Sequence, residues 1–183
     1  WSWDRILRSC FIKQADVLHG LYLFEEEFSE EEHRKNFEFY EPITVHESSL
    51  SPCVHVILAS KLGMEEKAYE MYVRTARLDL DDYNNDTEDG LHITSMAGTW
   101  MSVTKGFGGM RVYDGMLHFA PFIPKQWTSF DFNIRFRGAI LDIKTTQETV
   151  TVTNHSDMDL VVKVYGNEVE VKGNSAVEVP TKS

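Results

Sequence analysis

The sequence predicts a helical region followed by a small antiparallel β-sandwich, and three observations carry that prediction. Apolar residues recur every three to four positions up to about residue 106. Beyond about residue 128 they alternate with polar residues at period two. Between the two regimes glycines cluster in GFGGM, residues 106–110, which divides the chain into predicted domains 1–108 and 109–183.

The helical elements follow from local signals. In KQADVLHGLYLFEEEF, Val17, Leu18, Leu21 and Tyr22 fall at helical spacing. SEEEHRKNFEFYEP opens with Ser29 and Glu32, an S-x-x-E capping box, and stops near Pro42. The next helix, PCVHVILASKLG, takes Ser51 as N-cap, Pro52 as first helical residue and Gly63 as the position just past its end. MEEKAYEMYVRTARLDL places acids in its first turn and bases later, the order the helix dipole favours. After the polar loop DDYNNDTEDG, a last helix runs through ITSMAGTWMSVTKGF. The β region from Phe130 to Pro180 is punctuated by RG, NHSD, GN and KGNS.

Bulk properties narrow the function. A chain of 183 residues with 42% hydrophobic residues has material for a real core. Its net charge of -11 opposes nucleic acid and anionic membranes as partners, since both need a basic footprint. Cys10 and Cys53 are too few for a disulfide framework, and no apolar run approaches the roughly 18 residues of a membrane span. These features predict a cytoplasmic protein with reduced thiols. No P-loop, dinucleotide fingerprint or metal-ligand spacing occurs, and the acidic loop lacks the calcium-loop pattern.

Three polar constellations remain. EPITVHESSLSP, residues 41–52, sets serines before a helix start, where unpaired backbone N–H groups and hydroxyls can either cap the helix or cradle an oxyanion. GLHITSMAGTW, residues 90–100, puts His92 where a loop becomes a helix, as a packed residue or a ligand. It also carries Gly98 within the helical pattern, where close approach of a neighbour such as Trp100 would explain the glycine. Lys13 and Gln14 start a helix whose dipole a lysine opposes, forming either a solvated turn or a grip for sugar hydroxyls.

Taken together, KQADVLHGLYLF, FYEPITVHESSLSPCVHVILASKLG and DGLHITSMAGTWMSVTKGFGGMRVYDGMLHFAPFIPKQW resemble the carboxy-terminal part of glycoside hydrolase family 65, the inverting disaccharide phosphorylases. The resemblance runs from Lys13 to Trp127 and more loosely to the end of the chain. It implies that residues 1–108 supply the last helices of an (α/α)6 barrel and residues 109–183 a C-terminal β-sheet domain. The implied reaction is phosphorolysis of maltose to β-glucose 1-phosphate and glucose. One carboxylic acid protonates the leaving oxygen while phosphate, already an anion, attacks from the opposite face.

Carried onto this sequence, the resemblance implies that Ser48, Ser49 and His92 bind phosphate, with Ser95 and Gly98 beside them. Lys13 and Gln14 would contact sugar hydroxyls, as would Glu41, while His46 orients the loop. The general acid is implied to be a glutamate upstream of KQADV, and no segment of that kind occurs in the twelve residues before Lys13. The implied partners are therefore disaccharide, inorganic phosphate as a substrate rather than a cofactor, and the missing N-terminal part, with a homodimer when complete. The alternative is a non-catalytic sugar- or phosphate-binding or interaction module that kept the fold and lost the acid. A hydrolase using water in place of phosphate fits the serine-rich loop and His92 less well.

Overall fold

The computed structural model describes residues 2–182, so Trp1 and Ser183, the outer ends of the two predicted domains, lie outside the described residues. The chain forms two compact units that divide between Gly106 and Phe107. No helix among the described residues is long and apolar enough to cross a membrane.

The first unit is helical: α1 (Trp3–Ile6), α2 (Asp16–Leu23), α3 (Glu30–Tyr40), α4 (Ser51–Lys61), α5 (Glu65–Ala76) and α6 (Ile93–Met101), the last prolonged as a π-helical turn over Ser102–Phe107. Its centre is α4, buried at every position from Ser51 to Ala59. A helix apolar nearly all round must be enclosed, and α2, α5 and α6 enclose it. Gly63, at φ +70°, ends α4 in a Schellman arrangement, with Gly63 N donating to the Ser60 carbonyl and Met64 N to the Ala59 carbonyl. The chain therefore turns sharply into α5. The buried His33 joins α2 to α3, its ring nitrogens lying 2.9 Å from the Ser29 carbonyl and 3.3 Å from that of Leu21.

The capping box at α3 forms as its sequence predicts. Glu32 accepts from Ser29 N at 2.8 Å, and Ser29 Oγ accepts from Glu32 N at 3.3 Å. Ser29→Ala is expected to cost about 1 kcal/mol, read as a lower urea midpoint for loss of helical circular dichroism.

Ser51 corrects the sequence reading. It is the first residue of α4 rather than its cap, and Leu50 holds the cap position with no side-chain cap bond. The Ser51 hydroxyl instead meets His46 Nδ1 at 3.0 Å, a partner five residues back in the same loop.

The second unit holds two four-stranded sheets, built from β1 (Arg111–Tyr113), β2 (Met116–Phe119), β3 (Ser129–Phe136), β4 (Ala139–Thr146), β5 (Thr149–Asn154), β6 (Leu160–Val164), β7 (Asn167–Val171) and β8 (Ser175–Pro180). Their orders are β1-β2-β6-β7 and β3-β4-β5-β8. Alternation sets the register: Val150, Val152 and Asn154 of β5 face inward, as do Leu141 and Ile143 of β4, and the Phe119 and Phe132 rings bring the sheets together at 6.4 Å. Pairing is antiparallel except between β2 and β6, which run parallel. Those two strands are separated by the whole β3–β5 meander, so no hairpin dictates their direction.

Candidate functional site

The site is assembled from three separate segments of the helical unit. A parallel bridge pairs Ile12 with Thr44, with Ile12 N donating to the Ile43 carbonyl and Val45 N to the Ile12 carbonyl, both at 2.9 Å. One step on, Glu47 N donates to the Lys13 carbonyl at 3.2 Å, so Lys13 lies against the serine-rich loop. Ser49 Oγ then meets Thr94 Oγ1 at 2.9 Å, fastening that loop to the first turn of α6, two residues beyond His92. Lys13, the loop carrying Ser48 and Ser49, and the start of α6 are thereby brought together.

The loop owes its shape to His46. This residue sits in the left-handed region at φ 52°, which is uncommon for a side chain of its size. Three contacts hold it there: Nδ1 with the Ser51 hydroxyl, the main-chain carbonyl accepting from Arg74 Nη2 at 3.2 Å, and the ring packed edge-on against His55 with centroids 4.4 Å apart. Burial pushes the His46 ring down to about 3, helped by the charges of His55, Arg74 and Lys67. Burial also lowers His55, which is wholly enclosed, to about 4. Both rings are thus neutral at neutral pH. His55 Nδ1 donates to the Ser51 carbonyl at 3.0 Å, leaving Nε2 as a bare lone pair without a partner among the described residues. A cavity of about 370 Å³ opens beside the loop, lined in part by His46, Glu47, Arg74, Tyr83 and Asn84.

His92 precedes α6 and is fixed by carboxylates. Asp79 accepts twice from it, from the main-chain N at 2.8 Å and from Nδ1 at 2.6 Å. The opposite ring nitrogen, Nε2, stands 3.4 Å from Asp86 Oδ2. The hydrogen bond to Asp79, with the nearby charge of Asp86, raises the His92 pKa above its ordinary value, and the same bond lowers that of Asp79. A histidine held this way is an oriented donor, and its raised pKa favours the protonated form that an oxyanion prefers. Asp86 is itself positioned by a turn in which Asp82 Oδ1 accepts from Asp86 N and Thr87 N, each at 3.1 Å.

The other predicted site residues are placed differently. Ser95 is 3% exposed and donates its hydroxyl proton to the Thr75 carbonyl at 2.7 Å, which ties α6 to α5. Gly98 is a packing glycine: a Cβ there would lie 3.0 Å from Cys53 Cβ and 3.3 Å from Thr75 Cγ2. Its close neighbours are therefore Cys53 and Thr75, and not Trp100, which is half-exposed. Glu41 forms an ion pair with Lys67 at 3.1 Å, and Gln14 donates to Asp16 at 2.8 Å. Ser48 Oγ accepts weakly from Leu50 N at 3.3 Å.

Sequence reasoning missed Asp79, Asp86, Thr94 and Arg74. The first two lie in or beside the loop read as polar and acidic without the calcium-loop pattern, and the one available signal was the density of carboxylates just ahead of a histidine.

Comparison with known proteins gives consistent results. The sequence profile of the glycosyl hydrolase family 65 central catalytic domain matches residues 1–101, and that of the family 65 C-terminal domain matches residues 110–171. The chain is 53% identical to the maltose phosphorylase of Bacillus subtilis (strain 168) over 182 residues, covering 100% of the chain and 24% of that protein. It is 49% identical to the alpha,alpha-trehalose phosphorylase of Thermoanaerobacter brockii over 150 residues, covering 82% of the chain and 19% of that protein. A solved structure titled "Putative kojibiose phosphorylase from human microbiome" matches with a TM-score of 0.93 and 41% identity, covering 100% of this chain and 27% of that one. The chain thus spans about a quarter of the length of these relatives.

Proposed function

The chain belongs to glycosyl hydrolase family 65, and from that premise we propose that it forms the phosphate-holding part of an inverting disaccharide phosphorylase acting on maltose. The observation that carries this reading is His92, oriented by Asp79 at the start of α6 while the serine loop is fastened to the same turn through Ser49 and Thr94.

In this reading, phosphate oxygens accept from His92 Nε2 and from the hydroxyls of Ser48 and Ser49, and the anion is held beneath the anomeric carbon for in-line attack. Lys13, whose carbonyl accepts from Glu47 N of that loop, and Gln14 after it contact the glucosyl hydroxyls. Glu41 supports that side through its pair with Lys67. The general acid is a glutamate contributed from outside these residues, and the helical unit forms the last helices of an (α/α)6 barrel. Support for the barrel comes from α6, where Ile93, Met96 and Trp100 share one face and are all exposed, as a helix awaiting neighbours would leave them. Maltose is favoured among disaccharides by the 53% identity to a maltose phosphorylase.

Titrating inorganic phosphate into the full-length protein is expected to move the His92 ring resonances saturably while leaving those of His55 unchanged. A His92 signal that stays fixed to high phosphate would overturn the assignment.

A further inference from the structure

In the arrangement above, each nitrogen of His92 that can donate faces a carboxylate, and the two carboxylates are held differently. Asp79 is mostly enclosed, with a side chain 13% exposed, and bonds both the main chain and the ring of His92 at 2.8 and 2.6 Å. Asp86 belongs to an open loop, its side chain is 37% exposed, and its one contact with His92 is the 3.4 Å approach to Nε2. Asp79 takes Nδ1, so Nε2 is the only ring donor left for an incoming anion, and an anionic oxygen already stands there. No other charged group contacts the ring among the described residues.

We propose that Asp79 is the positioning residue that holds His92 as a donor, and that Asp86 occupies the phosphate position at Nε2 until phosphate displaces it. The proposal rests on the phosphate-site reading and extends it. Asp79 binds through two short bonds and stays. Asp86 binds through one long contact and is exchanged, so Nε2 keeps an anionic acceptor in both states and is never left as a donor without one. Binding is a competition: the affinity for phosphate is reduced by the fraction of molecules in which Asp86 already fills the position, and removing the competitor restores it.

Phosphate affinity is to be measured by titration calorimetry in the full-length protein and its variants at fixed ionic strength. Asp86→Asn is expected to tighten binding by about 2- to 10-fold. Glu88→Gln, which neutralises an exposed carboxylate of the same loop that makes no ion pair with His92, is expected to change affinity by less than about twofold, because exposed charges are screened. Asp79→Asn is expected to weaken binding about tenfold and to move the alkaline limit of tight binding to lower pH, since His92 then gives up its proton earlier; Asp79→Glu restores part of that limit. The proposal is overturned if Asp86→Asn weakens binding or leaves it unchanged. It is equally overturned if Glu88→Gln tightens binding as much, or if Asp79→Asn lowers affinity with no shift in the pH limit. His92→Ala separates this outcome from failure of the underlying reading: unchanged phosphate affinity in that variant removes the phosphate site itself.

Discussion

In a full-length phosphorylase carrying this segment, His92→Ala is expected to raise the KM for phosphate on the order of 10- to 100-fold while changing the KM for disaccharide by less than about threefold. The magnitude follows from losing one charge-assisted hydrogen bond in a partly enclosed site. The selectivity follows from position: His92 stands with Ser49 and Thr94 at the start of α6, whereas the proposed sugar contacts Lys13 and Gln14 are on the opposite strand of the Ile12–Thr44 bridge. Ser49→Ala is expected to act in the same direction and less strongly, because its neutral hydroxyl already shares a bond with Thr94 and that partner stays behind. Steady-state kinetics with each substrate varied in turn checks both. Equal loss for phosphate and disaccharide would remove the phosphate assignment.

The second large effect is on stability. His46 and His55 are held neutral in the fold at about 3 and about 4, below their ordinary value of 6.5, both chiefly by burial. Folded pKa values depressed in this way mean that the unfolded chain takes up protons first as pH falls. Their contribution to stability is complete above pH 6.5 and is lost between pH 6.5 and the folded values, at about 1.4 kcal/mol per pH unit for each ring. Two rings over two pH units amount to roughly 5 kcal/mol, a large part of a typical domain stability. His92 works in the opposite sense, since its raised pKa favours the fold below 6.5, but it is more exposed and offsets little. Urea unfolding of the helical unit at pH 7.0 and 4.5, followed by helical circular dichroism, measures the loss. His55→Phe is expected to reduce the dependence by about half; an unchanged slope in that variant would show that other groups carry it.

The fold was legible wherever its signals were local. The S-x-x-E of Ser29 and Glu32, the glycine after α4 and the alternation of β4 and β5 each act within a few residues of themselves. Long-range partners are where the reading stopped. Even five residues can defeat it: Ser51 has the composition of a cap, but the left-handed turn at His46 brings that ring onto its hydroxyl instead. The parallel pairing of β2 with β6 depends on which sheet the chain returns to after β5. The candidate site divides along the same line. Ser48, Ser49 and His92 stood out as residue types in telling places, but Asp79, which orients His92 from thirteen residues away, was one carboxylate among many. Ser95 and Gly98 stood out because they share the motif with His92. Their side of the helix faces α4 and α5, a matter of helical phase that composition does not reveal.

The stitching of the site has a kinetic consequence. α4 and α5 are joined by a tight turn at Gly63 and pair through local contacts, so they can form early at small cost in chain entropy. The ties that make the site reach much further along the chain, 28 residues from Arg74 to His46 and 45 from Ser49 to Thr94. Each closes a longer loop for a single exposed or half-exposed bond. The serine loop is therefore expected to dock late onto a hairpin that is already built, and its amides to exchange hydrogen at a lower opening free energy than those of α4 beneath it.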